Sequence, residues 1–168
     1  MKQIIGSILL TVAVMILSGC GHSLLNPSPN IASSGKGGSE PEYSKLKLTD
    51  YKTDKMNQNA NIVLTVGTKF IPTGSTSITV TIENKTNHKI GYGALYQIET
   101  MENGKWYQLP FRKDVSFSLI YKNLNPLQSD RAMVSITTDT LQFPLKKGKY
   151  RIVKEIDQQI FSAEFELL

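Results

Sequence analysis

The sequence predicts an all-β domain, an antiparallel sandwich or barrel of about seven to nine short strands. Three observations carry that expectation. Apolar residues recur with a period of two in several runs; the runs are spaced by about 8 to 15 residues with Gly-, Pro- and Asn-containing turns between them; and no segment of the domain shows a helical period. The chain of 168 residues is 40% hydrophobic and 20% charged, enough apolar surface to offset the ordering entropy of one core.

The elements follow in order. Tyr43–Gln58 is transitional: "SKLKLTDY" alternates, with Leu46 and Leu48 on one side, and reads either as an N-terminal edge strand or as more of the preceding linker. "NIVLTVGTKF" from Asn61 is rich in β-branched residues and stops at the turn-forming "PTGS", Pro72 to Ser75. "TSITVTIEN" places Ile78, Val80 and Ile82 on one face and Thr79, Thr81 and Glu83 on the other, a half-buried strand. "IGYGALYQIETMENGKWYQLP" reads as two strands joined at Asn103-Gly104, the pair that best tolerates the positive φ angles of a type I′ hairpin. Phe117–Tyr121 is expected as a further short strand before a loop holding Pro126, and "RAMVSIT" puts Ala132, Val134 and Ile136 on one face. Two last strands, "KYRIVKEI" and "IFSAEFELL", flank a tight polar turn at Asp157–Gln159; in the second, Phe161, Ala163, Phe165 and Leu167 face one way.

Leu145, Gly148 and Tyr150 in "LKKGKY" resemble the tyrosine corner of immunoglobulin-like sandwiches, in which a tyrosine starting the penultimate strand bonds back to the preceding loop. Together "SITVTIENKTNHKIGYG", "YQIETMENGKWYQLP" and "LKKGKYRIVKEI" with "FSAEFEL" resemble a bacterial Ig-like domain of Gram-positive envelope lipoproteins, over roughly Ile62 to Leu168. The resemblance implies an Ig-like antiparallel β-sandwich and an envelope location, and it carries no catalytic residues. A more distant likeness is to bacterial intracellular proteinase inhibitors, whose sandwich has a comparable approach to a late strand.

Ahead of the domain, residues 1–19 have the three-part layout of a secretory leader: Lys2, an apolar run Ile4–Leu17, then Ser18 and Gly19. The run is shorter than the roughly 20 residues a spanning helix needs. Leu17-Ser18-Gly19-Cys20 resembles the lipobox of bacterial lipoproteins, which implies acylation of the Cys20 sulfur and cleavage before it. Two acyl chains then anchor the protein stably, since each buried methylene contributes roughly 0.8 kcal/mol. The plainer alternative is an ordinary cleaved leader and a soluble secreted protein. Cys20 is the single cysteine, so a lipidated chain holds no disulfide. Residues 20–42, rich in Ser, Gly, Pro and Asn, read as a flexible tether spanning roughly 25 Å on average. The division is therefore a signal helix at 1–19, a tether at 20–42 and a sandwich at 43–168 with its core in 62–168.

The residues available limit the chemistry. Only His22 and His88 are present, so neither a His-based triad nor a multi-histidine zinc site can be assembled, and no phosphate-cradling glycine loop or nucleophile elbow occurs. Glu99 with Glu102, and Glu164 with Glu166, are the carboxylate pairs, read as solvated surface rather than as acid and base. Asn84-Lys85-Thr86 matches a glycosylation triplet, read as accidental. The formal charge is +5; losing Lys2 with the leader leaves 18 cationic side chains against 14 carboxylates, a mild excess without the dense basic clustering of nucleic-acid binders.

Two candidate binding surfaces remain. One is the basic run Lys146, Lys147, Lys149, Arg151 and Lys154, suited to an anionic wall polymer or lipid, with Arg151 and Lys154 pointing to opposite faces. The other is the aromatic set Trp106, Tyr107 and Phe111 with Tyr92 and Tyr96. The expectation is a lipid-anchored extracytoplasmic binding module on the cell membrane, without catalysis or cofactor, whose partners are the membrane and a protein or wall polymer. A surface proteinase inhibitor is the alternative. Oligomeric state is not legible.

Overall fold

The computed structural model describes residues 45–168. The expected leader, Cys20 and the tether lie outside the described residues. Among those described, no helix is long and apolar enough to cross a membrane.

Among the described residues, eleven strands form the domain. β1 (Lys47–Leu48), β7 (Lys105–Gln108), β6 (Gln97–Glu102), β10 (Gly148–Ile156), β11 (Gln159–Leu167) and β3 (Phe70–Ile71) make a six-stranded sheet in that order. β2 (Ile62–Val66), β4 (Ser77–Asn84) and β9 (Ser129–Ser135) make a three-stranded sheet, and β5 (Ile90–Gly93) pairs with β8 (Tyr121–Leu124). The pairing is antiparallel except between β11 and β3. This is the Ig-like sandwich the sequence predicts. The count exceeds nine because β1 and β3 are two residues long, too short to show a period.

Alternation sets the core. Ile78, Val80 and Ile82 of β4 face Ile98, Ile152 and the β11 row Phe161, Ala163, Phe165 and Leu167, all buried. Each large aliphatic or aromatic side chain in that row contributes about 1.5–3 kcal/mol by leaving water. "NIVLTVGTKF" is not one strand. Its first half, β2, pairs with β4; after Gly67 the chain crosses to the other sheet, where β3 lies parallel to β11. The crossing closes one side of the sandwich.

Both hairpin expectations hold in their turns. Asn103 (φ 50°) and Gly104 (φ 76°) join Glu102 to Lys105. Asp157 (φ 52°) and Gln158 (φ 60°) join Ile156 to Gln159. Both two-residue loops therefore have the paired positive φ of type I′ turns, the second without a glycine. "IGYGALYQIET" divides into β5 and β6, which belong to different sheets. Two other expectations need correction. Phe117–Ile120 is not strand, since only Tyr121 of the expected run enters β8; and Ala132 is exposed although it shares a face with Val134 and Ile136.

The 45–58 segment belongs to the sandwich. β1 pairs with β7, Thr49 N donates to Trp106 O at 3.0 Å, a 3-10 turn spans Thr53–Lys55, Met56 is buried, and Asn57 N donates to Ile160 O at 3.0 Å. This strap crosses the outer face of the six-stranded sheet. The "I-E-N-K-T" strand end is also structural. Asn84, fully buried, donates from Nδ2 to His88 O (2.8 Å) and Leu124 O (3.0 Å) and accepts at Oδ1 from Thr86 N and Oγ1. Every hydrogen-bonding site of that amide faces protein, so the triplet presents no amide for glycosylation.

The tyrosine corner is present. Tyr150 Oη donates to Lys146 O at 2.7 Å and accepts from Lys146 N at 2.9 Å, while the ring stacks on Phe165 with centroids 5.5 Å apart. Tyr150→Phe keeps the ring and removes both bonds, so the urea midpoint should fall by the equivalent of about 1–2 kcal/mol with the slope unchanged. An unaltered midpoint would mean the corner is decorative.

Candidate functional site

The residues nominated from sequence do not share one surface. Arg151 is fully buried and Trp106 is 7% exposed, which removes both from any direct contact with a partner. The reason is the strap. Arg151 lies on the outer face of β10, opposite Glu99 of β6, and Thr49, Thr53 and Trp106 close over the pair. Nε of Arg151 donates to Glu99 Oε2 at 2.7 Å, Nη2 sits 2.6 Å from the same oxygen without hydrogen-bond alignment, and Nη1 donates to Thr53 Oγ1 at 3.1 Å. Glu99 Oε1 accepts from Gln97 Nε2 at 2.7 Å and from Thr49 Oγ1. The guanidinium carbon lies 4.3 Å from the Trp106 ring centroid, a cation–π contact. Glu99 is thus a fully buried partner of Arg151, not the solvated carboxylate expected beside Glu102. The sequence held one signal of this: Ile152 and Val153 are consecutive apolar residues, which in a strand means both faces are covered.

Lys154 also leaves the basic run. Its Nζ donates to Gly93 O (2.5 Å) and Leu95 O (2.9 Å) above the Tyr92 ring, and burial holds its amine below the usual 10.5. Lys147 and Lys149 do project into solvent, as a pair rather than a five-residue cluster. Tyr107 is half-buried in the β6–β7 ladder. Phe111 joins Tyr96 and Phe117 in a trio of edge-to-face rings with centroids 5.0 to 5.4 Å apart. That trio roots the 112–120 loop, a role the sequence pattern did not assign to Phe117.

Two concavities meet at Tyr92, Gly93, Tyr96 and Lys154. One is a broad groove of about 800 Å³ walled by Tyr51, Phe111, Tyr121 and Phe143. Tyr121 lies so close across Gly91 that a β-carbon there would come within 2.4 Å of its ring, so a larger residue would push the exposed Tyr121 ring aside. The other is an apolar cleft of about 270 Å³ that opens between β9 and the 118–122 segment, over Val80, Ile82 and Ile152. Beside both stands an apolar ridge: Leu119 is 100% exposed, Ile120 67% and Tyr121 62%, with Leu95 close in character at 65%. At the cleft's end, Tyr92 Oη donates to Asp130 Oδ2 at 2.6 Å, and Lys122 Nζ lies 3.1 Å from the same oxygen. The Tyr92 hydroxyl, then Lys122, hold the Asp130 carboxyl below its usual 3.8, while burial and Asp130 push the Tyr92 hydroxyl upward. Among the described residues no three His, Cys, Asp or Glu side chains gather as metal ligands.

The buried pair has a measurable signature. Glu99→Ala leaves a buried guanidinium without its carboxylate and should destabilise by about 3–5 kcal/mol, whereas Glu99→Met with Arg151→Met should recover most of that in denaturant unfolding. A separate prediction concerns acid. A carboxyl whose folded pKa is depressed adds stability above its unfolded value and loses it as pH falls through the folded value. Asp130→Asn should therefore flatten the stability profile below about pH 4, where wild type declines; parallel profiles would refute the linkage.

Among curated proteins, none matches the sequence. Solved structures match at low identity and low TM-score. The archaellum periplasmic stator protein FlaG of Sulfolobus acidocaldarius is 17% identical, with 62% of this chain and 99% of that chain covered and a TM-score of 0.39. The alkylpurine DNA glycosylase AlkC of Pseudomonas fluorescens is 16% identical, covering 68% of this chain, with a TM-score of 0.36. A β-glucosidase of Listeria innocua is 12% identical, covering 76% of this chain, with a TM-score of 0.32. The match spans only 32% of the glycosylase and 20% of the glucosidase. The family comparison is stronger: residues 58–166, from the last residue of the strap to the last strand, match the bacterial Ig-like domain. With the sandwich, the tyrosine corner and this match in hand, the chain belongs to the bacterial Ig-like domain family.

Proposed function

We propose that this protein is a lipid-anchored interaction module of the bacterial envelope, held by Cys20 on the extracytoplasmic face and binding a protein partner without catalysis. The observation that carries the reading is the apolar ridge. Three consecutive residues, Leu119, Ile120 and Tyr121, are each more than half exposed beside an apolar cleft. Contiguous apolar surface of that kind marks an interaction site. The Leu17–Cys20 pattern supplies the anchoring half of the proposal.

Two measurements test the two halves. Cys20→Ala should move the protein from the membrane fraction to the soluble or secreted fraction and abolish acyl labelling; unchanged partition would end the anchoring proposal. A photo-crosslinking residue at Leu119 should give discrete adducts in intact cells, and the same probe at Lys147 should not. Equal labelling from both positions, or none from Leu119, would remove the ridge as the interaction surface. A protease-blocking module would use the same exposed loop, so nanomolar inhibition of a protease, lost on Leu119→Asp, would replace this reading with the inhibitor one.

A further inference from the structure

β8 and β9 are consecutive antiparallel strands joined by Asn125–Gln128, a turn in which Gln128 N donates to Asn125 O at 3.3 Å and Leu127 has a φ of 57°. They do not pair as a hairpin. β8 pairs with β5, and β9 pairs with β4. The Lys122–Asp130 contact holds them together near the turn, and the apolar cleft opens beyond it. Among the described residues, the seven-residue β9 has β4 on one side and no strand on the other.

Native sandwiches protect such edges with proline, charged side chains, bulges or very short strands. Ser129–Ser135 has no proline or glycine, and its two charges, Asp130 and Arg131, sit together in its first half. Its centre is Ala132 and Met133, the latter 76% exposed. Ala132 shares a face with core residues and is still exposed, because no strand lies beside it. The cleft has Ala132, Met133 and Val134 on one wall, Ser118, Ile120 and Lys122 on the other, and Val80, Ile82 and Ile152 beneath.

We propose that the open edge of β9 and the adjacent cleft receive an extended peptide strand of a partner protein, with aliphatic side chains in the cleft and carboxylates on the outer face. This rests on the interaction-module reading and names the partner's chemistry. In β-augmentation the main chain supplies affinity and alternate side chains supply selectivity. The cleft, about 270 Å³ and walled mainly by apolar side chains, has room for a few aliphatic side chains. The charge preference comes from Arg131, exposed on the outer face opposite Thr81, with no ion pair among the described residues. A carboxylate on the incoming strand's outer face would lie beside Arg131.

The test is hydrogen exchange on the full chain, solubilised in detergent if acylated. The probe is an acetylated, amidated octapeptide alternating valine and glutamate. At saturation it should slow exchange of the β9 amides at least tenfold. The same peptide N-methylated at alternate residues, or with lysine for glutamate, should bind at least tenfold more weakly. Ala132→Phe, which fills the cleft from an exposed position, should abolish protection, and Leu127→Ser, outside the cleft, should not. The peptide series needs no variant, so the proposal stays testable if Ala132→Phe misfolds. No peptide-dependent protection of β9 while Leu119 adducts persist would overturn strand insertion and leave the module reading standing; loss of the adducts as well would remove both. Protection of β9 without peptide would also overturn it: concentration-dependent protection would point to a second copy, and concentration-independent protection to closure by the 117–120 segment.

Discussion

Two opposite charges buried on the outside of a sheet form the constraint around which this domain is arranged. An unpaired buried charge is costly, and the pair is tolerated only when its geometry is good and its remaining polar atoms are satisfied. Here the carboxylate of Glu99 and the guanidinium of Arg151 face each other across β6 and β10, and neither touches water. Covering them demands a lid, and the lid is the 45–58 strap with its Thr49 and Thr53 hydroxyls, together with the Trp106 ring. β1 therefore has a reason to exist although it is two residues long. It docks the strap on β7, where Leu48 lies opposite Tyr107. The pair also fixes register, because a slip of one residue between β6 and β10 would place the two charges on opposite faces.

What the sequence displayed was local. Asn103-Gly104, the Tyr150 corner, the strict alternation of β4 and the last-strand row from Phe161 to Leu167 each depend on neighbours within a few residues, and each was readable. What escaped was decided by distant partners. Arg151 reads as surface because the adjoining Ile152-Val153 pair signals only that the outer face is covered, not that residues a hundred positions earlier supply the cover. Phe117 alternates like a strand residue, yet its ring joins Tyr96 and Phe111 and roots a loop. Strand propensity needs a partner edge to become a strand, and tertiary packing outweighs it where an aromatic cluster competes. The candidate site was legible only in its aromatics. Its geometry arises from β5 and β8 pairing with each other instead of joining the sheet beside β9, and no residue type encodes that choice on its own.

The two faces of the molecule have consequently opposite characters. Around the strap the side chains turn inward: Gln97, Thr49, Thr53 and the Trp106 ring all serve the ion pair. Around β9 and the 118–122 segment, backbone edge and apolar side chains are left open, and the one compact polar arrangement, Tyr92 with Asp130 and Lys122, sits at the closed end of the cleft. Stability and recognition are thus built from different strands, so sequence change along the ridge need not disturb the buried charges. Lys154 is the exception. It lies on the interior face, capped by the carbonyls of Gly93 and Leu95, and Gly93 borders both concavities.

The strap also fixes how the domain meets mechanical load. Any tension arriving along the chain from before residue 45 is delivered first to β1, a two-residue strand paired on one edge only. Short pairings at an edge open in sequence, one rung after another, at lower force than strands sheared along their whole length. The first structure to yield would therefore be the lid, and its departure would let water onto Glu99 and Arg151 while the nine-residue β10–β11 ladder stayed intact. The domain is in that respect a fold with a tear-strip: its weakest seam lies at the end where the chain enters, and it covers the two charges that most need to stay dry.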